Sequence, residues 1–215
     1  MNNKSKLYYL VPGGIFYLAV PLIYMIVGDF PSRTVLKEIL SLATVGAFFL
    51  FLGQFYLSRI NTVTLKGQNY SKVVKLHKII GYVCIPIIFL HPFFIVLPRY
   101  FEASLDPVDA FWLILTTFDS KGIILGLIAM ALMILIGITA ILRKRIHMKY
   151  KTWRTMHAFL SLAFIFVATW HAVDLGRHMD TFLSEYTIFM SSIGVVFLMR
   201  TYFFNNENKE KTHEE

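Results

Sequence analysis

Seven histidines are the residues of this 215-residue chain best suited to chemistry. Four of them stand where an ionisable side chain is costly. Ile79 to Pro98 and Thr155 to Val173 contain no Lys, Arg, Asp or Glu, yet His91 lies in the first stretch and His157 and His171 in the second, with His77 just before the first. Ionisable residues at membrane depth mark function by default. The other three, His147, His178 and His213, fall in polar connections or at the C-terminal end.

Spacing gives the four a pattern. His77 to His91 and His157 to His171 are each fourteen residues apart. On an α-helix fourteen residues rise about 21 Å and turn about 1400°, within some 40° of whole turns. Each pair therefore lies on nearly one helix face at two depths. If the two helices run in the same direction, His77 is level with His157 and His91 with His171. Pro86 lies between the histidines of the first pair, removes the hydrogen bond to Tyr82 and is expected to kink that helix.

Two imidazoles facing each other at each level suit axial ligation of haem iron. The second ring nitrogen of each would then be held by an acceptor, for which the carbonyls one turn back, at Val73, Ile87, Trp153 and Val167, are candidates. With Cys84 the single cysteine, no CxxCH attachment site, CxxC pair or disulfide can form, so the haems would be b-type. Other metals compete. Zinc wants about four clustered ligands where each level offers two, and copper lacks the Cys and Met set of a blue-copper site. Plain helix–helix hydrogen bonds are the structural alternative.

The elements that must position these residues are membrane spans. The chain is 56% apolar and only 16% charged, against about 25% charged in a soluble domain. Its apolar residues come in six runs of about 20, the length of a span: 7–28, 38–58, 78–98, 122–142, 155–176 and 183–199. The expected fold is all-α, a polytopic bundle of six transmembrane helices, with two haem sites between the third and fifth. The first run is too long for a signal h-region and no A-x-A-like site follows it, so it reads as a span. The connections at 1–6, 59–78, 143–154 and 200–211 hold sixteen of the 21 Lys and Arg. Basic residues favour the cytoplasmic side, so the topology is N-in and C-in, in the plasma (inner) membrane of the cell. This also accounts for the net charge of +8 without nucleic acid. Residues 110–115 are apolar but too short to span and read as an interfacial, re-entrant or surface helix on the outer side. Residues 1–204 form the membrane domain, and 205–215 a polar cytoplasmic tail without fixed structure.

Several neighbours carry two readings each. Gly81 gives a flat macrocycle room or packs a helix. Phe89, Phe93, Phe164 and Trp170 line the haems or face lipid. Lys75, Lys78 and Arg154 at the inner level, and Arg99 and Arg177 at the outer, pair with propionates or anchor loops.

The stretches KLHKIIGYVCIPIIFLHP (Lys75 to Pro92) and Gly122 to Ala172, with YKTWRTMH leading into the final histidine, resemble the ferric reductase-like transmembrane domain of ferric reductases and NADPH oxidases. The resemblance implies a six-helix bundle with two stacked b-haems and carries His77, His91, His157 and His171 over as ligands. The larger members continue into a cytoplasmic flavin and nicotinamide domain. Here only a short polar stretch follows the sixth run, and no GxGxxG or P-loop occurs. The chain is thus similar to stand-alone bacterial members, among them the haem-binding membrane subunit of the methionine sulfoxide reductase system. The histidine at 77 argues for two full sites and against that particular assignment.

Three functions follow as expectations. The first is a transmembrane electron conduit, taking electrons from a cytoplasmic reduced flavin (FMN or FAD), flavin reductase or flavoprotein. It would deliver them to an outer acceptor: a ferric complex, oxygen or a periplasmic redox protein. The second is the membrane subunit of a two-component reductase with a dedicated periplasmic partner. The third is a transporter or assembly factor whose histidines relay protons or hold a transient metal without haem.

Overall fold

A computed structural model of the chain describes residues 15–31, 33–63, 70–103, 106–116, 118, 120 and 121–210, with backbone only at 56–63, 70–72, 99, 102–103 and 200–210. No strand occurs among the described residues. A bilayer offers backbone groups no water, so an uncharged run satisfies them internally as helix.

Among the described residues seven helices follow in order. α1 (Ile15–Val27) opens on a π turn at Ile15–Ala19. α2 is Val35–Val63, α3 Tyr70–Ala103 and α4 Pro107–Thr116. α5 (Lys121–Ile141) ends in a 3₁₀ turn at Leu142–Lys144, and α6 (Tyr150–Leu175) and α7 (Thr181–Glu210) complete the chain. Among the described residues five stretches are long and apolar enough to cross a membrane: Val35–Phe55, Val73–Pro98, Lys121–Lys144, Tyr150–Leu175 and Thr181–Met199. The protein is a helical membrane protein. The first expected run is met by α1, which is shorter than a span; positions 7–14 of that run lie outside the described residues.

At the bundle's margins one segment departs from the sequence expectation and another meets it. α7 continues to Glu210, through most of the stretch expected as an unstructured tail, because 205–210 hold no Pro or Gly to end it; 211–215 lie outside the described residues. The apolar stretch at 110–115 is the short helix α4. Asp106 caps it, its Oδ1 accepting from the backbone N–H of Val108 (2.8 Å) and Asp109 (3.2 Å), and Pro107 occupies the first turn, where a missing N–H costs nothing. Phe111 stacks on Phe93 of α3 at 4.1 Å, while Trp112 and Leu113 are exposed.

α2 packs on α3 and α7, α5 on α6 and α3, and α6 on α7. The centre is a layer in which Phe49, Leu52, Ile165 and Leu183 are fully buried. Thr169 and Ser191 join α6 to α7 by a buried hydroxyl pair at 2.8 Å. Apolar side chains such as Phe159, Phe166, Phe189 and Val196 face outward, as a lipid-facing rim requires.

Candidate functional site

α3 and α6 bring the four intramembrane histidines together two by two. The ring centroids of His77 and His157 are 6.5 Å apart, and those of His91 and His171 are 6.1 Å apart. An imidazole nitrogen sits about 2 Å from a metal it binds, so two rings on opposite sides of one metal have centroids about 6 Å apart. Among the described residues no three His, Cys, Asp or Glu converge, so each level offers two nitrogen donors and no closed four-ligand zinc site.

The outer pair is fixed by backbone. Pro92 has no N–H, which leaves the Ile88 carbonyl without its helical partner, and His91 Nδ1 meets that carbonyl at 2.5 Å. His171 Nδ1 meets the Gly122 carbonyl of α5 at 2.8 Å. A carbonyl only accepts, so both Nδ1 atoms carry the proton and both Nε2 atoms keep a lone pair that could bind a metal. The His171 ring fits because position 126 is glycine: a Cβ there would stand 2.6 Å from its Cε1.

Beside this pair lies a cavity of about 700 Å³, counting its open mouth. Its walls are Thr44, Val45, Phe48 and Phe51 of α2, Ile88 of α3, Gly126, Ala129 and Met130 of α5, and Phe164, Ala168 and Ala172 of α6, closed by Gly176 and Met179. The walls thus come from four helices and not only from the two that carry the histidines. An apolar slot with two imidazoles of fixed tautomer fits a flat, largely apolar iron macrocycle. Phe164 lines it, whereas Phe89, Phe93 and Trp170 are exposed at the periphery.

Side chains hold the inner pair. Gln54, buried in α2, places its amide against His77. Turned so that its oxygen accepts from the Gly81 N–H (3.3 Å), its nitrogen donates to the His77 carbonyl (3.2 Å) and to Nδ1. A metal on Nε2 calls for a proton on Nδ1 and therefore for the reversed amide, which presents oxygen to that proton. His157 differs from the other three: its Nδ1 is buried and has no hydrogen-bond partner. Its ring stacks on Trp153 at 5.1 Å and 27°.

The acceptors expected one turn back, at Val73, Ile87, Trp153 and Val167, are therefore not the ones used. Helical carbonyls are already bonded to their own i+4 N–H, and the partners found are Gln54, the proline-freed Ile88 and Gly122. Gln54 is detectable in sequence only as the one amide in the second apolar run. Gly81 has room: a Cβ there would meet only the Gln54 amide, at 3.8 Å.

The basic candidates are dispersed. Lys75, Lys78 and Arg154 are exposed. Arg177 is exposed and donates to the Pro31 carbonyl at 3.4 Å. The side chain of Arg99 lies outside the described residues. Of the loop histidines, His147 is exposed. His178 is buried between the Phe30 ring (4.8 Å) and Glu38 Oε2 (3.6 Å). Burial pushes the His178 imidazole below its ordinary value of 6.5, against the opposing pull of Glu38.

No solved structure matches the chain. An uncharacterized protein of Archaeoglobus fulgidus is 38% identical over 169 residues, covering 78% of this chain and 91% of the relative. The family model described as ferric reductase like transmembrane component matches residues 42–168, a span that contains His77, His91 and His157 and stops just short of His171. The chain belongs to the ferric reductase-like transmembrane component family, whose membrane domain points to electron transfer in a membrane.

Proposed function

We propose that this chain carries electrons across the bilayer by way of two b-type haems, one held by His77 and His157 and the other by His91 and His171. The single observation that carries the reading is the pair of inter-ring distances, 6.5 and 6.1 Å, each matching two imidazoles on one metal. Bound there, each haem would supply one-electron exchange, with these histidines holding its iron.

The chain's own residues do the rest. Ile88 and Gly122 fix the tautomers of the outer ligands. Phe48, Phe51, Phe164 and Met130 keep the outer slot dry, which sets its dielectric. The excess of Lys and Arg in the connections beside it supports a cytoplasmic position for the His77/His157 level. Reduced FMN or FAD, free or on a flavoprotein, is the donor there, and the basic inner turns offer it complementary charge. The acceptor, a ferric complex, oxygen or a periplasmic redox protein, meets the His91/His171 level. Residues 1–204 are the conduit, in the plasma membrane.

Vesicles containing the purified protein and trapped ferricyanide test this. Externally added reduced FMN should reduce the trapped acceptor, and His157→Ala or His171→Ala should abolish the reduction. Haem-loaded protein that passes no electrons contradicts the reading; transfer that appears only when a periplasmic partner is supplied assigns the chain to a two-component reductase.

A further inference from the structure

Three of the four intramembrane imidazoles have a partner on Nδ1: Ile88 for His91, Gly122 for His171 and Gln54 for His77. His157 has none, although that atom is buried. Something else must orient this ring.

The residue against it is Trp153, one turn earlier on α6 and so on the same face. Its indole lies on the imidazole at 5.1 Å between centroids, with the planes 27° apart. The indole is itself anchored. Nε1–H donates to the Thr139 carbonyl at 3.1 Å, one of the last-turn carbonyls of α5 that lack a helical partner. The Arg143 guanidinium lies 5.2 Å from the Trp153 ring and 4.5 Å from the Tyr150 ring, within cation–π reach of both. Tyr150 and Trp153 are stacked at 6.0 Å. A cation, two aromatic rings and an imidazole thus form a layered unit, in which Arg143 Nε and His157 Nδ1 are both buried without a hydrogen-bond partner.

We propose that Trp153 is the positioning residue of His157, the indole face doing at this one ligand what a hydrogen bond to Nδ1 does at the other three. The inference rests on the reading of His157 as a haem ligand. It follows that a flat aromatic face at position 153 is required and the indole N–H is not. Phenylalanine there keeps the face and loses the bond to Thr139; leucine loses both.

The test uses the full-length, haem-loaded protein and two readouts other than activity: the low-spin ferric EPR signal, which reports ligand-plane orientation, and the midpoint potential of each haem. The inner signal is the one missing from His157→Ala. Trp153→Phe should leave that signal and the inner potential as in the wild type. Trp153→Leu should shift the inner signal and potential, or lose the inner haem, with the outer signal unchanged. Where Trp153→Leu does not accumulate, Trp153→Met, unbranched and not aromatic, takes its place with the same expectation. An inner signal unmoved by Leu or Met overturns the proposal, as does a Phe variant perturbed as much as the aliphatic one, which would make the tie to Thr139 the working contact. A wild type without haem refutes the ligand reading itself, an outcome distinct from both.

Discussion

Gly126→Ala should empty the outer haem site and leave the inner one filled. A Cβ at position 126 would stand 2.6 Å from His171 Cε1, 2.8 Å from Nδ1 and 3.3 Å from Nε2, where carbon atoms in ordinary contact keep about 3.5–4.0 Å. The imidazole must retreat by about 1 Å. Gly126 and the carbonyl that holds the ring, Gly122, are on the same helix, so moving away from α5 to relieve the clash also lengthens the 2.8 Å bond toward the limit of about 3.5 Å at which a hydrogen bond is lost. Overpacking costs about 1–3 kcal/mol and the lost bond about 1 kcal/mol. The functional effect is larger, because a ligand must be held within about 0.5 Å of its working position, and loss of outer-shell support alone costs about 10–100-fold in metal affinity. Gly46→Ala is the control, since its Cβ would make ordinary contacts, with Leu22 methyls at 3.6 and 3.8 Å and a Leu18 methyl at 3.9 Å. The assay is haem per chain by pyridine haemochromogen against amino-acid analysis. One haem per chain in Gly126→Ala and two in Gly46→Ala are expected. Two haems in Gly126→Ala with an unchanged outer spectrum would refute the reasoning.

Three further outcomes follow from the same contacts. Pro92→Ala gives the Ile88 carbonyl a backbone donor that competes with His91 Nδ1; the ligand becomes less basic and the outer midpoint potential should rise with the inner unchanged, so a potentiometric titration showing no movement would deny the proline its role. Gln54→Leu removes the amide at His77 and should weaken inner-haem retention by about 10–100-fold, read as haem lost on dilution with apomyoglobin; retention equal to wild type would dismiss Gln54. His178 is buried among Phe30, Glu38, Arg33 and Arg177, with its imidazole held below 6.5. The unfolded chain therefore takes up the proton first, and stability present above about pH 6.5 falls as the pH drops toward the folded value. His178→Gln should flatten the dependence of melting temperature between pH 7 and 5, and an unchanged slope would place the acid sensitivity elsewhere.

Much of the helical frame is legible in the apolar runs, because a bilayer leaves an uncharged run of that length few other structures. The level pairing of histidines is also legible: α3 stays one continuous helix through Pro86, Pro92 and Pro98, so fourteen residues remain close to four turns. What surrounds the histidines is less so. Gly126, Thr44 and Phe51 reach the outer cavity from α5 and α2, and no periodicity in those runs distinguishes them from lipid-facing or packing residues. Carbonyls one turn back do not serve as the Nδ1 partners because they are spent on the helix. Within α3 the Ile88 carbonyl is freed by Pro92, which stands in sequence immediately after His91. Trp153 is visible in YKTWRTMH, but its stacking on His157 depends on where Thr139 of α5 and Arg143 of the turn after it hold the indole.

The central claim is that each histidine pair holds one haem. A reduced-minus-oxidised spectrum of the purified protein, combined with the haem-to-protein ratio after expression with haem supply, tests it most directly. Two low-spin b-type haems per chain are predicted, falling to one in His91→Ala or His157→Ala; a chain that folds in the membrane and binds none would contradict the account.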